Sequence, residues 1–148
     1  MNTEAFLLAC GIAIGVAGAW VTMAQWLIGR TSLEAQGKNP ELEPTFKKLT
    51  ILGIALVESA AIYWLVMALL ILYSDASLYK ALASALAVAI PGLAAWFGEG
   101  KIVESAINAI LRNPADEKKI QSNMILYIAL TESAAIYGLI IWLLVLYS

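Results

Sequence analysis

The chain has 148 residues, of which 61% are hydrophobic and 14% charged, with a net charge of −2. A soluble domain is nearer half apolar and about a quarter charged, so this composition and a mean hydropathy of +0.81 indicate an integral membrane protein. The small net charge and the lack of a basic patch with interleaved aromatics argue against a nucleic-acid partner. The absence of histidine removes the commonest general base and metal ligand, and the lone Cys10, which can form neither an internal disulfide nor a zinc site, reads as packing.

The first apolar run covers roughly 5–29, long enough for a membrane helix at about 1.5 Å per residue. The preceding MNTEAFLLAC has no basic segment of the kind that opens a cleaved signal peptide, so a retained span is expected. This run is rich in small residues, with Gly11, Gly15 and Gly18. A polar segment, 30–48, follows and carries Arg30, Lys38, Lys47 and Lys48. The second run, 49–73, is bulkier, with Leu, Ile, Tyr and Trp. A short connection, Ser74–Tyr79, leads to a third run at 81–103, marked by Ala83, Ala85, Ala87 and Ala89. The second polar segment, 104–122, has Arg112, Lys118 and Lys119, with Lys101 just before it, and the fourth run spans 123–147. The runs are continuous rather than alternating, so helices are expected and strands are not.

Of the nine basic residues only Lys80 lies outside the two polar segments and their edges. The positive-inside rule then places both segments in the cytoplasm and both termini on the other side, with a prokaryotic inner membrane as the expected location. The architecture read from this is an all-α membrane protein of four transmembrane helices, arranged as two tandem hairpins over 1–74 and 75–148. Small residues let helix backbones approach closely in lipid. One small-residue helix and one bulky helix per hairpin predict an inner and an outer helix layer.

The hairpins are an internal repeat. Shifting the sequence by half its length superposes the halves without a gap, with about a third of positions identical and about two thirds within 51–74 against 125–148. ALVESAAIYWL at 55–65 returns as ALTESAAIYGL at 129–139, and Lys38-Asn39-Pro40 returns as Arg112-Asn113-Pro114.

Each repeat places a glutamate, Glu58 or Glu132, inside a membrane run. An ionisable group at that depth is costly and marks an ion path or a paired site. Glu58 lies about 27 Å of helix from the Pro40 turn, and Gln25, on the other arm, about 22 Å, so the two reach similar depth. The same count from Pro114 pairs Glu132 with Glu99. Ser59 and Ser133 follow the glutamates directly, and Tyr63 and Tyr137 stand a little over one turn on as phenol donors. These oxygens, with freed backbone carbonyls at Leu56 and Leu130, suit a hard cation such as Na⁺. Two carboxylates around one monovalent ion cannot both stay ionised, so Glu99 is expected to be protonated and to donate to Glu132. As lone residues the serines would more often bond their own helix carbonyls, Gln25 could be an interhelical hydrogen-bond partner, and the tyrosines could belong to packing. The matched glutamates have no such bland reading.

At these residues the chain resembles the c-subunit, or proteolipid, of rotary ATP synthases and ATPases, in a duplicated form. The resemblance rests on GEG at 98–100, VESAINAILRNP at 103–114 and TESAAIY at 131–137; the first hairpin keeps ESAAIY and KNP but has AQW at 24–26 in place of the triplet. It implies a homo-oligomeric ring with the small-residue helices inside. Each glutamate would take an ion from one half-channel of a stator a-type subunit and release it into the other. The turns at Lys38, Asn39, Pro40 and Arg112, Asn113, Pro114 would touch the central stalk.

Glu followed by Ser, with Gln or Glu across the hairpin and Tyr one turn on, is similar to the sodium-binding version, with H⁺ as the alternative ion. Two carboxylates per chain, rather than the one usual in vacuolar-type pumps, favour synthesis. The chain has no nucleotide-binding motif and is expected to be non-catalytic on its own, with no organic cofactor. The competing readings are a vacuolar-type pump proteolipid and, from another class, a small four-helix proton-coupled transporter, which needs neither the duplication nor two matched sites.

Overall fold

Four long helices carry the chain: α1 (Thr3–Lys38), α2 (Glu43–Leu72), α3 (Leu78–Arg112) and α4 (Glu117–Tyr147). The computed structural model describes residues 3–74 and 76–148. Among these residues, the stretches Pro40–Leu72, Leu78–Arg112 and Pro114–Tyr147 are long and apolar enough to cross a membrane. α1, with 36 residues, reaches about 54 Å at the usual rise. Large apolar side chains stand on the outside of the bundle, among them Ile62, Leu65, Leu130, Ile141 and Leu144, each at least half exposed. A surface of that kind suits lipid and not water.

The polar segments 30–48 and 104–122 are mostly helical, because their residues are good helix formers and Arg30 bonds Glu34 one turn on. Within these segments the chain reverses only over Asn39–Leu42 and Asn113–Asp116, each a short 3-10 turn after an asparagine. The cause is local. A residue before proline is pushed out of the helical region, and Asn39 (φ −142°, ψ 87°) and Asn113 (φ −140°, ψ 82°) take nearly the same extended conformation. Proline then opens the next turn, where its missing N–H costs nothing. The side-chain amide of Asn113 donates to Asp116, a contact the first hairpin has no residue to make.

The helices stack in two layers. α1 and α3 lie side by side, each packed on its own hairpin partner, while α2 and α4 touch each other little. This agrees with the small-residue layer expected from sequence, although the close approaches are at particular places. A Cβ on Gly53 would sit 2.7 Å from Val103 Cγ1, so Val103 of the second hairpin presses directly on the α2 backbone. A Cβ on Gly138 would meet the Ala87 carbonyl oxygen at 2.7 Å and Pro91 at 2.9 Å. By contrast Gly11, Gly15, Gly18 and Gly29 face open space. The core between the hairpins includes the fully buried Ile28, Phe46, Val57, Val103 and Ile107, together with Trp64 and Trp96, whose rings lie 5.7 Å apart at 42°. Cys10 packs half-buried against this core, as its apolar surroundings suggested.

Candidate functional site

The two halves meet on a cluster of oxygens. Ser59 on α2 lies 3.1 Å from Glu132 Oε1 on α4, and 2.7 Å from the Leu56 carbonyl of its own helix. The hydroxyl has one proton to donate, so it satisfies one of these acceptors at a time. The Tyr63 phenol, one turn beyond Ser59, lies near the same carboxylate and near Glu99. Glu99 on α3 is wholly buried, and neither of its carboxyl oxygens has a hydrogen-bond partner. Buried polar atoms are nearly always paired, and leaving a carboxyl orphaned costs at least about 1–3 kcal/mol. Four side chains from three helices and the Leu56 carbonyl therefore gather in one region.

Why these residues meet follows from helix geometry. Successive residues on an α-helix point about 100° apart, whereas residues four apart share a face. Ser59 and Tyr63 thus look the same way, and Glu58 looks elsewhere. The motif ESAAIY does not close on itself: its hydroxyl groups serve the carboxylate of the other hairpin. The motif alone groups Ser59 and Tyr63 with Glu58, and Ser133 and Tyr137 with Glu132. Structurally, Ser59 and Tyr63 join Glu132 and Glu99, while Ser133 bonds only the Leu130 carbonyl at 2.7 Å and Tyr137 is 66% exposed. Glu58 is exposed and Gln25 half-buried. Glu99 and Glu132 are neighbours, as the depth count required, but the direct hydrogen bond expected between them is absent.

Sequence reasoning did not pair two buried tryptophans. Trp64 and Trp96 pack against each other at a tilt in the buried core, on the helices that carry Tyr63 and Glu99. Their repeat counterparts are Gly138 and Thr22, so no repeated pattern signalled them. Nearer the turns, Thr45 donates to Glu117 at 3.1 Å and Lys48 to Gln121 at 3.0 Å, which ties the two hairpins together. Lys38 and Arg112 end their helices at the paired turns, with Asn39, Asn113, Pro40 and Pro114 forming the reversal.

A buried acidic cluster between two repeated membrane hairpins has a counterpart among known proteins. The family model for the ATP synthase c-subunit matches twice, over residues 8–71 and 82–145. The chain belongs to the ATP synthase c-subunit family. Its relatives include the second of two ATP synthase c-subunits of Pelobacter propionicus, 39% identical over 67 residues, which is 45% of this chain and 74% of that protein. The c-subunit of Syntrophobacter fumaroxidans is 33% identical over 70 residues, 47% of this chain and 78% of the relative. That of a Synechococcus species is 39% identical over 67 residues, 45% of this chain and 82% of the relative. Each alignment takes up under half of this chain and most of the relative, so one hairpin here corresponds to one relative. The family is the non-catalytic rotor component of the ATP synthase complex, where it assembles as a ring in the membrane. The present chain is a duplicated form, with two family units in tandem.

Proposed function

We propose that the chain is the ion-carrying unit of the rotor ring, with Glu58 and Glu132 each transporting one cation per passage, and that the cation is Na⁺. The observation that supports this most is the cluster at Glu132. The Leu56 carbonyl and Glu132 Oε1 both lie within hydrogen-bond distance of Ser59 Oγ, and Glu132 neighbours Glu99, whose two carboxyl oxygens are unpartnered. Hard oxygens of this number and kind suit a small cation. Two carboxylates and one Na⁺ leave one negative charge, which a proton on Glu99 removes. The loaded carboxylate then crosses lipid as a neutral group, and an empty one stays where a stator group of opposite charge can compensate it.

The same arrangement serves Glu58 when a neighbouring copy in the ring supplies its Ser133 and Tyr137, with Gln25 completing the oxygen set and the Leu130 carbonyl taking the place of Leu56. That site needs no extra proton, since Gln25 is neutral. The turns at Lys38–Pro40 and Arg112–Pro114 face the cytoplasm in this reading, by the distribution of basic residues, and meet the central stalk. Two carriers per chain raise the ions moved per ATP, which favours synthesis.

Carbodiimide attacks a protonated carboxyl and gives the direct test. Purified rings are labelled at fixed pH across a Na⁺ titration and read by peptide mass spectrometry. Na⁺ protection at Glu58 and Glu132 is expected. Labelling at both that ignores Na⁺ would make the chain a proton carrier and reduce Ser59 and Gln25 to hydrogen-bonding roles.

A further inference from the structure

The repeat makes it possible to compare the interface inside one chain with the edges the chain leaves open. Every contact that the second hairpin makes on the first has a counterpart position one repeat away. Val103 presses on Gly53 within the chain. At the counterparts, Gly29 stands for Val103 and Tyr127 for Gly53. Gly29 has nothing within 4 Å of where its Cβ would be, and Tyr127 is 50% exposed. The large and the small residue have changed sides. Likewise, the Thr45 hydrogen bond to Glu117 becomes Lys119 opposite Glu43. Both are exposed, and Glu43 has only a 4.0 Å contact with Lys47. Tyr127 lines a groove of about 360 Å³ between α3 and α4, with Ser105, Ala109, Ile120, Asn123 and Met124. The first hairpin's counterparts of these residues, among them Thr31, Ala35, Phe46 and Leu49, are buried.

We propose that the α3–α4 groove receives the outer edge of α1 from a second copy of this chain, with Tyr127 seated over Gly29 and Lys119 paired with Glu43, a reversed fit that distinguishes this contact from the one within the chain. It rests on the ring reading and adds what selects the neighbour. The occupant follows from continuity: the groove is the repeat equivalent of a surface already filled by the same fold, and the charges on its two sides are opposite. The reversal has a steric consequence. A Val103-like residue on the outer edge would meet Tyr127 where the in-chain contact has a glycine, so the two interfaces cannot be exchanged. An aromatic ring over a bare backbone also gives close packing in lipid, where van der Waals contact drives association.

The test transplants the in-chain pair onto the outer edge. Wild-type protein in mild detergent is expected to give one large ring species by native mass spectrometry. Gly29→Val should lower ring yield by roughly tenfold or more, from the cost of overpacking a close contact, while the released chain keeps its helical circular dichroism. The double variant G29V/Y127G, which copies Val103 and Gly53, should restore rings. Glu43→Lys should weaken rings, and E43K/K119E should recover them. Two results overturn the proposal: rings unaffected by Gly29→Val, or no recovery in G29V/Y127G although the chain is folded. Absence of any ring from the wild type would instead sink the ring reading itself, and this contact with it.

Discussion

Glu58 and Glu132 share a motif and a depth, yet one chain treats them differently. Glu132 has Ser59, Tyr63 and the buried Glu99 around it, all contributed by other helices. Glu58 stands exposed, and Gln25, its expected partner on α1, is half-buried. The difference comes from position and not from sequence. Glu132 has a hairpin beside it to supply hydroxyls, and Glu58 lies on an edge. In the proposed reading, a tandem duplication therefore holds one finished site and two complementary halves of another.

The broadest way to break this comparison is to neutralise each carboxylate. Glu132→Gln and Glu58→Gln are each expected to abolish ion-driven ATP synthesis by the reconstituted complex, because an ion-free link in the ring stops at the stator. The labelling should separate them: E132Q loses the in-chain reaction and keeps the one at Glu58, and E58Q does the reverse. Full synthesis with either variant would mean that only one hairpin carries ions.

Next in size is a packing change confined to one hairpin. Gly138→Ala puts a methyl against the Ala87 carbonyl and Pro91. Backbone and a proline ring have little room to move, so a loss of about 1–3 kcal/mol is expected for such overpacking. Gly53→Ala meets only a side chain, that of Val103, and no backbone, and should cost less. Thermal dissociation of the ring in one detergent compares the two, and a larger loss for Gly53→Ala would place the tighter contact between hairpins instead of within one.

A subtler change sharpens the comparison at the ion. Ser59→Ala removes the hydroxyl facing Glu132, and a hydrogen bond to a charged group is worth about 1.5–3 kcal/mol. The Na⁺ concentration that half-protects Glu132 from carbodiimide should rise by about tenfold or more, with Glu58 unchanged. Ser133→Ala should shift Glu58 alone. If Ser133→Ala shifted Glu132 instead, each carboxylate would be served by the serine next to it in sequence, contrary to the geometry.

Much of this was legible without coordinates. Hydropathy and the repeat gave the hairpins, and the depth count brought Glu99 level with Glu132. The asparagine–proline pairs marked the turns, because proline excludes helix at the residue before it. The assignment of Ser59 to the other hairpin's glutamate was also within reach, since adjacent helical residues point about 100° apart; reading the motif as one unit concealed it. Three things were not legible. The Trp64–Trp96 stack has no repeated pattern. The extent of helix through 30–38 is masked by polar composition, which marks departure from the membrane and not the end of a helix. Which glycines touch a neighbour depends on crossing geometry, so Gly53 and Gly138 carry contact while Gly11 and Gly15 carry none within one chain.

The smallest expected effects lie near the proline turns, where each hairpin has an ion pair along its first helix. Arg30 and Glu34 pair at 2.8 Å with both side chains more than half exposed, while Lys101 and Glu104 pair at 2.8 Å with Glu104 at 26%. The Arg30 guanidinium holds the Glu34 carboxyl below its ordinary range. A depressed carboxylate contributes stability above its unfolded pKa and loses it as pH falls through the folded value. Glu34 is open to solvent, however, and salt and water screen such a pair. Glu34→Gln should therefore leave the ring's melting temperature and its acid-side pH profile unchanged at moderate salt. Glu104→Gln, on the better-covered pair, should cost no more than about 1 kcal/mol. The order matters more than the size. A larger loss from Glu34→Gln would mean that Arg30 is in a less open setting in the ring than in one chain, and that the neighbouring copy covers α1 as far as its turn end.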